Sequence, residues 1–182
     1  MNKNLAIPFL GVLSFFLVVS CVKDTDFDQA NDVVLAPVVE LDLIYFDLAA
    51  GDFYDSSTAT SILTLRDTTN LPFLDDEEIS SSLKRAEFYF KFTNSVERSF
   101  LVDFQFLSTE NDTTYTAQTQ VAQGIVSNPI ITEFTENVEG ESIEDLTMAS
   151  KVVVSVTIPS SNANLTGNLN LQSKTTYYLE FN

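Results

Sequence analysis

Residues 85–106 read RAEFYFKFTNSVERSFLVDFQF, and this stretch decides the fold class. Successive side chains of a strand point to opposite faces, so Ala86, Phe88, Phe90 and Phe92 share one face while Arg85, Glu87, Tyr89 and Lys91 share the other. The alternation resumes after Asn94 and Ser95, with Phe100, Val102, Phe104 and Phe106 inward and Asp103 and Gln105 outward. Two half-buried antiparallel strands are expected, joined as a hairpin at the Asn94-Ser95 turn. Burying one phenylalanine contributes roughly 1.5–3 kcal/mol. The six in this stretch are therefore expected to form the nucleus of a core that needs no disulfide.

The same period of two recurs on both sides. Upstream, Val39, Leu41, Leu43 and Tyr45 alternate with Glu40, Asp42 and, less cleanly, Ile44. Residues 56–69, dense in Ser and Thr around Ile62, Leu63 and Leu65, read as an edge strand with a polar outer face. Downstream, Tyr115, Ala117, Thr119 and Val121 alternate with polar partners, Ile130 to Phe134 follows Pro129, and Val152 to Ile158 ends at Pro159. The last apolar positions are Leu165, Leu169, Leu171, Tyr177, Leu179 and Phe181. One short helix is expected over residues 142–149, with Ser142 as its N-cap and Ile143 and Leu146 on its apolar side. Seven or eight short strands without β-α alternation point to an all-β, antiparallel sandwich over residues 37–182, immunoglobulin-like in its layers. The cysteine pair and tryptophan of antibody domains are absent, so that term describes layers only.

Composition narrows the chemistry. The 182 residues carry 26 acidic against 9 basic side chains, a formal charge of −17, with no histidine, no tryptophan and one cysteine. Such a surface repels a phosphate backbone, so no nucleic-acid partner is expected. Without histidine the usual general base and zinc ligand are missing, and a single cysteine forms no internal disulfide. No Gly-x-Ser-x-Gly elbow is present, and five glycines form no phosphate-cradling loop. No catalytic, cofactor-binding or metal-ligating residue is assigned, and the chain is read as a non-enzyme.

Three features invite other readings. Asp75-Asp76-Glu77-Glu78 is the densest acidic run and reads as a solvated loop. Tyr89, on the polar face of a strand, and Phe53 with Tyr54, in an early loop, are the aromatic candidates for a glycan face. Their simpler readings are cross-strand packing and a loop tucked over the sandwich edge. Asp24, Asp26 and Asp28 match positions one, three and five of an EF-hand loop, but Gln29 stands where the turn needs glycine and Leu35 where a glutamate should close the shell.

Lys3 and the apolar run Leu5 to Val19, broken only by Pro8, Gly11 and Ser14, have the build of a secretory signal peptide over residues 1–20. That run is shorter than the roughly 20 apolar residues of a spanning helix. It closes on Val18-Val19-Ser20-Cys21, which resembles the lipobox of bacterial lipoproteins. The resemblance implies that Cys21 becomes the first residue of the mature chain and carries the lipid. Lys23-Asp24-Thr25-Asp26, with Asp28 beyond, is similar to the export signal of Bacteroidota lipoproteins, here with Thr25 between the acids. Residues 21–36 then form an acidic tether. The whole resembles flavobacterial lipoproteins built of a signal peptide, a lipobox and one β-rich domain. That resemblance implies an outer-membrane, cell-surface address, membrane attachment through covalent lipid at Cys21, and a binding or structural accessory role toward a surface protein or glycan. The alternative is a calcium-dependent carbohydrate-binding module.

Overall fold

The computed structural model describes residues 34–181. The signal segment, Cys21 and the tether acids Asp24, Asp26 and Asp28 lie outside the described residues. Eight strands build the fold: β1 (Val38–Ala49), β4 (Thr64–Asn70), β5 (Leu83–Asn94), β6 (Phe100–Leu107), β7 (Thr113–Val121), β8 (Ile130–Glu139), β9 (Lys151–Thr157) and β10 (Asn168–Leu179). A two-residue ribbon, β2 (Tyr54–Asp55) with β3 (Thr60–Ser61), is set between β1 and β4.

The pairings explain the topology. β1 pairs with β10, β4 with β9, β5 with β8 and β6 with β7, all antiparallel, so the first half of the chain is zipped to the second half in reverse order. Rolling up that ribbon brings β10 against β5 and β9 against β6. The result is two four-stranded sheets, β1-β10-β5-β8 and β4-β9-β6-β7. The antiparallel two-layer architecture is the one expected. Its connectivity, on which hydrophobic period is silent, is the double Greek key of a jelly roll.

The phenylalanines meet across the layers. Phe90 stacks on Phe104 with ring centroids 4.0 Å apart and Phe88 tilts against Phe106 at 5.0 Å. This corrects the hairpin expected for β5 and β6: the strands lie in different sheets, and residues 95–99 cross between the layers. Both patterns had the inward face right, because the two strands share one core from opposite sides.

Among the described residues two α-helices are present rather than one, besides a 3-10 turn at Ala50–Phe53. Helix α1 (Glu77–Ser82) begins in the acidic run read as a solvated loop; the Asp76 carboxylate caps it by accepting from the backbone N–H of Glu78 and Ile79. Helix α2 (Ser142–Thr147) is the expected one, burying Ile143 and Leu146, but its N-cap is Glu141 and Ser142 is its first helical residue.

In β1 the alternation breaks. Leu43 and Ile44 are both buried, and the pairing with β10 shifts between Asp42 and Tyr45. The Ser173 hydroxyl fills the gap in the ladder, accepting from Ile44 N at 3.0 Å and donating to Ile44 O at 2.7 Å. The bulge carries Tyr45 to the outer face, where strict alternation had placed it with the core residues.

The sandwich therefore has two distinct ends. At the base are the start of β1, a Leu35–Phe181 bridge, α1, α2 and the β6–β7 turn. At the tip are residues 50–63, 95–99, 122–129 and 158–167. β1 spans 12 residues, so at about 3.3 Å each base and tip lie ~35 Å apart.

Candidate functional site

The tip is built around one buried side chain. Asn94, fully buried at the end of β5, uses all of its amide: Nδ2 donates to the carbonyls of Arg98 and Ala122, both at 2.8 Å, and Oδ1 accepts from Val96 N at 2.8 Å. One residue on, Ser95 N donates to Asn168 O and Ser95 Oγ accepts from Asn168 N. Arg98 Nε reaches Ser160 Oγ, Ala50 N donates to Gly167 O, and Ser61 Oγ donates to Ser161 O. All four tip loops are thereby tied to one another.

Two glycines make this closeness possible. A Cβ on Gly124 would lie 1.9 Å from the Asn94 carbonyl oxygen. Gly167 has φ +100°, and a Cβ there would lie 2.4 Å from the Ser95 carbonyl oxygen.

Between the tied loops lies a basin of about 390 Å³, lined by Ser95, Glu97, Ser127, Asn164 and Thr166 together with Ile125, Val126 and Leu165. Ile125 and Asn128 close a tight turn through reciprocal backbone bonds, leaving Val126 62 % exposed at its crest. Rigid loops with hydroxyl, amide and apolar groups around a depression form the kind of surface on which a fold of this class carries binding. At the outer edge of the same end, the Asp55 carboxylate collects the Ser57 and Thr58 hydroxyls and backbone amides, which hold its pKa down to about 2.

The sides differ from the tip. Between edge strands β1 and β4 an apolar seam of about 340 Å³ is lined by Phe46, Leu48, Leu65, Val154 and Val156, with Asp52, Arg66 and Asp67 among its polar groups. On the opposite side, between β7 and β8, the Tyr115 hydroxyl donates to Glu136 and Ala122 N donates to Thr132 Oγ1. Burial, with the Glu136 bond second, pushes the Tyr115 pKa well up.

A smaller depression, about 190 Å³, lies on the outer face of the β1-β10-β5-β8 sheet beside the bulge. Its lining is Asp42, Tyr45, Tyr89, Lys91, Gln172, Ser173 and Lys174.

Of the residues singled out from sequence, Tyr89 is on that outer face, donating to Glu133 Oε1 at 2.6 Å. Phe53 is a core ring, fully buried and 5.5 Å from Phe100, and Tyr54 is half-buried in β2. Among the described residues no three acidic or cysteine side chains converge as a metal site, and no helix is long and apolar enough to cross a membrane. Gly124 and Gly167 were not singled out, and Asn94 and Tyr45 were read only as a turn and a strand residue. Gly124 and Gly167 account for two of the five glycines in the chain, a signal that was there to be used.

No family model matches the chain, and no curated protein matches it. Among solved structures it is similar to the infectious bursal disease virus VP2 subviral particle (TM-score 0.49, 6 % identity, 79 % of this chain and 32 % of that one). It is also similar to the enzymatically active domain of bacteriophage CBA120 tailspike protein 4 (TM-score 0.39, 11 % identity, 80 % and 19 %). A third is an Arthrobacter globiformis T6 isomalto-dextranase complexed with panose (TM-score 0.30, 9 % identity, 62 % and 16 %). The chain spans about a third or less of the length of each, and no score reaches one half. The jelly-roll assignment stands on the chain's own strand pairings.

Proposed function

We propose that this chain is a lipid-anchored lipoprotein of the outer membrane, exposed at the cell surface, that acts as a non-enzymatic binding or accessory module through its tip. Val18-Val19-Ser20-Cys21 at the end of an apolar leader carries the reading, with Cys21 as the acylated residue. Loss of Lys3 with the leader takes the formal charge from −17 to −18, so attachment rests on acyl chains, each buried methylene contributing about 0.8 kcal/mol. The fold is consistent with this: the described chain begins at the base, and the tied loops lie at the far end. The exposed Ile125 and Val126 beside the polar basin suit a surface protein partner.

Two experiments test the parts separately. Cys21→Ala is expected to accumulate an unprocessed precursor without incorporated palmitate; normal maturation of that variant overturns the lipoprotein assignment. Protease shaving of intact cells, with a periplasmic protein as the leakage control, is expected to cleave the domain and spare the control. Survival of the domain on intact cells, with cleavage after lysis, overturns the surface assignment.

A further inference from the structure

The two sides of the sandwich are not closed alike, and the open one is the seam between the edge strands β1 and β4. Side chains bridge the layers at β7 and β8, whereas β1 and β4 share no backbone pairing. Leu41, Phe46 and Leu48 point from β1 toward the opposite sheet, yet Leu41 is 38 % exposed and the other two are half-buried. Besides the volume of about 340 Å³ toward the tip, a depression of about 290 Å³ lies in the same seam toward the base, lined by Leu41, Leu43, Leu71 and Phe73.

β4 offers this seam a free edge. Ile158 N donates to Leu63 O and Leu71 N to Ser150 O, and the register with β9 between them has no shift. The ladder bonds therefore fall at the odd positions, and Thr64, Arg66, Thr68 and Asn70 turn N–H and C=O toward the free edge. Of these the Thr68 N–H is taken, by Asp67 Oδ1 at 2.8 Å. Asp67 shares a face with Leu65 and Thr69, opposite the buried Val154. It is a carboxylate on the core face of an edge strand, and no ammonium or guanidinium lies within 4.0 Å of it among the described residues.

The seam is negative after its neighbours are counted. Asp42, Asp52 and Asp67 line the two depressions against Arg66 alone. Asp47 on β1 and Asp75 beyond Phe73 add to them, Glu40 offsets Lys174, and Lys151, opposite Asn70, leaves the balance acidic. A second copy would bring its own Asp67 or the acids of β1 to this edge, and residues 21–33 carry four aspartates against one lysine. Both of those occupants meet like charge, and a basic one does not.

We propose that the β4 edge takes up an extended segment of another protein, added antiparallel like every pair in this sheet, with a lysine or arginine facing Asp67 and apolar side chains facing Leu65 and Thr69. The free backbone groups of Thr64, Arg66 and Asn70 hold the segment, and its alternate side chains enter the two depressions. Covering Asp67 with a neutral strand buries a carboxylate without a partner, which is costly. The residue that admits a basic segment thereby turns away an apolar or acidic one.

The test is fluorescence anisotropy of a labelled, capped heptapeptide titrated with the full chain in phosphatidylcholine nanodiscs, with empty nanodiscs as the blank. The peptide carries threonine at its odd positions and leucine, lysine and leucine at its even ones. It is expected to bind saturably with a Kd below about 1 mM. Three changes to the peptide are each expected to weaken binding about tenfold: norleucine for the lysine, the lysine moved to the third position, and N-methylation of the odd-position amides. Asp67→Asn is expected to bring the lysine peptide down to the norleucine one, with a melting temperature close to that of the unsubstituted chain. No saturable binding overturns the proposal, as does equal binding of the lysine, norleucine and shifted peptides, or indifference to N-methylation or to Asp67→Asn. So does binding that appears only on deletion of residues 22–33, which would give the edge to the chain's own tether, or only on dilution, which would give it to a second copy. Neither the tip nor acylation at Cys21 enters these outcomes, so failure here leaves the lipoprotein reading to its own tests.

Discussion

The two ends of the sandwich are closed by different means. At the base, Leu71, Leu74, Ile143, Leu146 and Ala149 plug the space between the sheets, and Phe73 stacks on Tyr177 at 4.6 Å. At the tip the same task falls to hydrogen bonds: Asn94 to three backbone groups, Ser95 to Asn168, and glycines that let carbonyls approach where a Cβ would collide. An apolar plug stabilises without dictating the shape of what lies outside it. A hydrogen-bonded knot constrains the loop backbones it joins and leaves the outer loop surface free. The tip is therefore the end where a fixed recognition surface is affordable, and the base is the end that only has to be shut.

Truncation at each end should separate the two modes. Leu146→Ala, at a fully buried position, is expected to cost about 2–5 kcal/mol, read as a lower urea midpoint with an unchanged slope. Asn94→Ala leaves one N–H and two carbonyls without their partner and is expected to cost about 2–3 kcal/mol. The second variant should also make residues 122–129 susceptible to limited proteolysis while the base stays protected. A cost for Asn94→Ala within about 0.5 kcal/mol, the range of an ordinary surface change, would mean that the knot does not hold the tip.

How much of this could be read from the sequence follows from the range of the interactions. The strands themselves were legible, because period two is a local signal and every inward phenylalanine of β5 and β6 is buried. Which strand lies beside which was not legible: Val102 pairs with Val156 and Leu169 with Asn94, and hydrophobicity does not encode partners so far along the chain. The β1 bulge left one trace, the uneven alternation at Ile44, but its clamp at Ser173 is 129 residues away. Asn94 was read as the turn of a hairpin; it is instead the last residue of β5, and the Ala122 contact through which it ties two loops is again non-local. Helix α1 was legible and missed: an aspartate followed by two acids in a first turn is an N-terminal signature, and the density of charge in that run drew the eye to solvation instead.

The plugged base also carries an alkaline liability. Burial pushes the Tyr177 pKa up to about 12, with the Thr175 hydroxyl acting the other way. Unfolded tyrosine ionises near 10, so the native state holds a proton that the unfolded chain gives up. The stability from keeping Tyr177 neutral is fully present below pH 10 and is lost as pH rises from 10 through 12, a drop of roughly 2–3 kcal/mol. Tyr177→Phe, which keeps the ring stacked on Phe73, is expected to flatten unfolding free energy over that interval. Tyr115, also shifted upward by burial, leaves a residual slope. An unchanged alkaline slope in Tyr177→Phe would put the titrating group elsewhere.

The finest comparison is between two aspartates that both cap backbone amides, one at each end. Asp76 at the base accepts from Glu78 N and Ile79 N of α1, and Asp76→Ala is expected to cost about 1 kcal/mol, as N-cap removal does elsewhere. Asp55 at the tip gathers two hydroxyls and two amides in an exposed turn, and the depth of its shift, to about 2, is a statement about pH rather than about a large stability. Its folded pKa lies below the unfolded value, so its contribution is present above about pH 4 and disappears as pH falls toward 2. Melting temperatures of the unsubstituted chain and of Asp55→Asn should therefore differ most near neutrality and converge in acid. A gap that stays constant from pH 7 to pH 2 would show that the turn depends on the shape of residue 55 and not on its charge, and would make the tip as indifferent to ionisation as the apolar plug of the base.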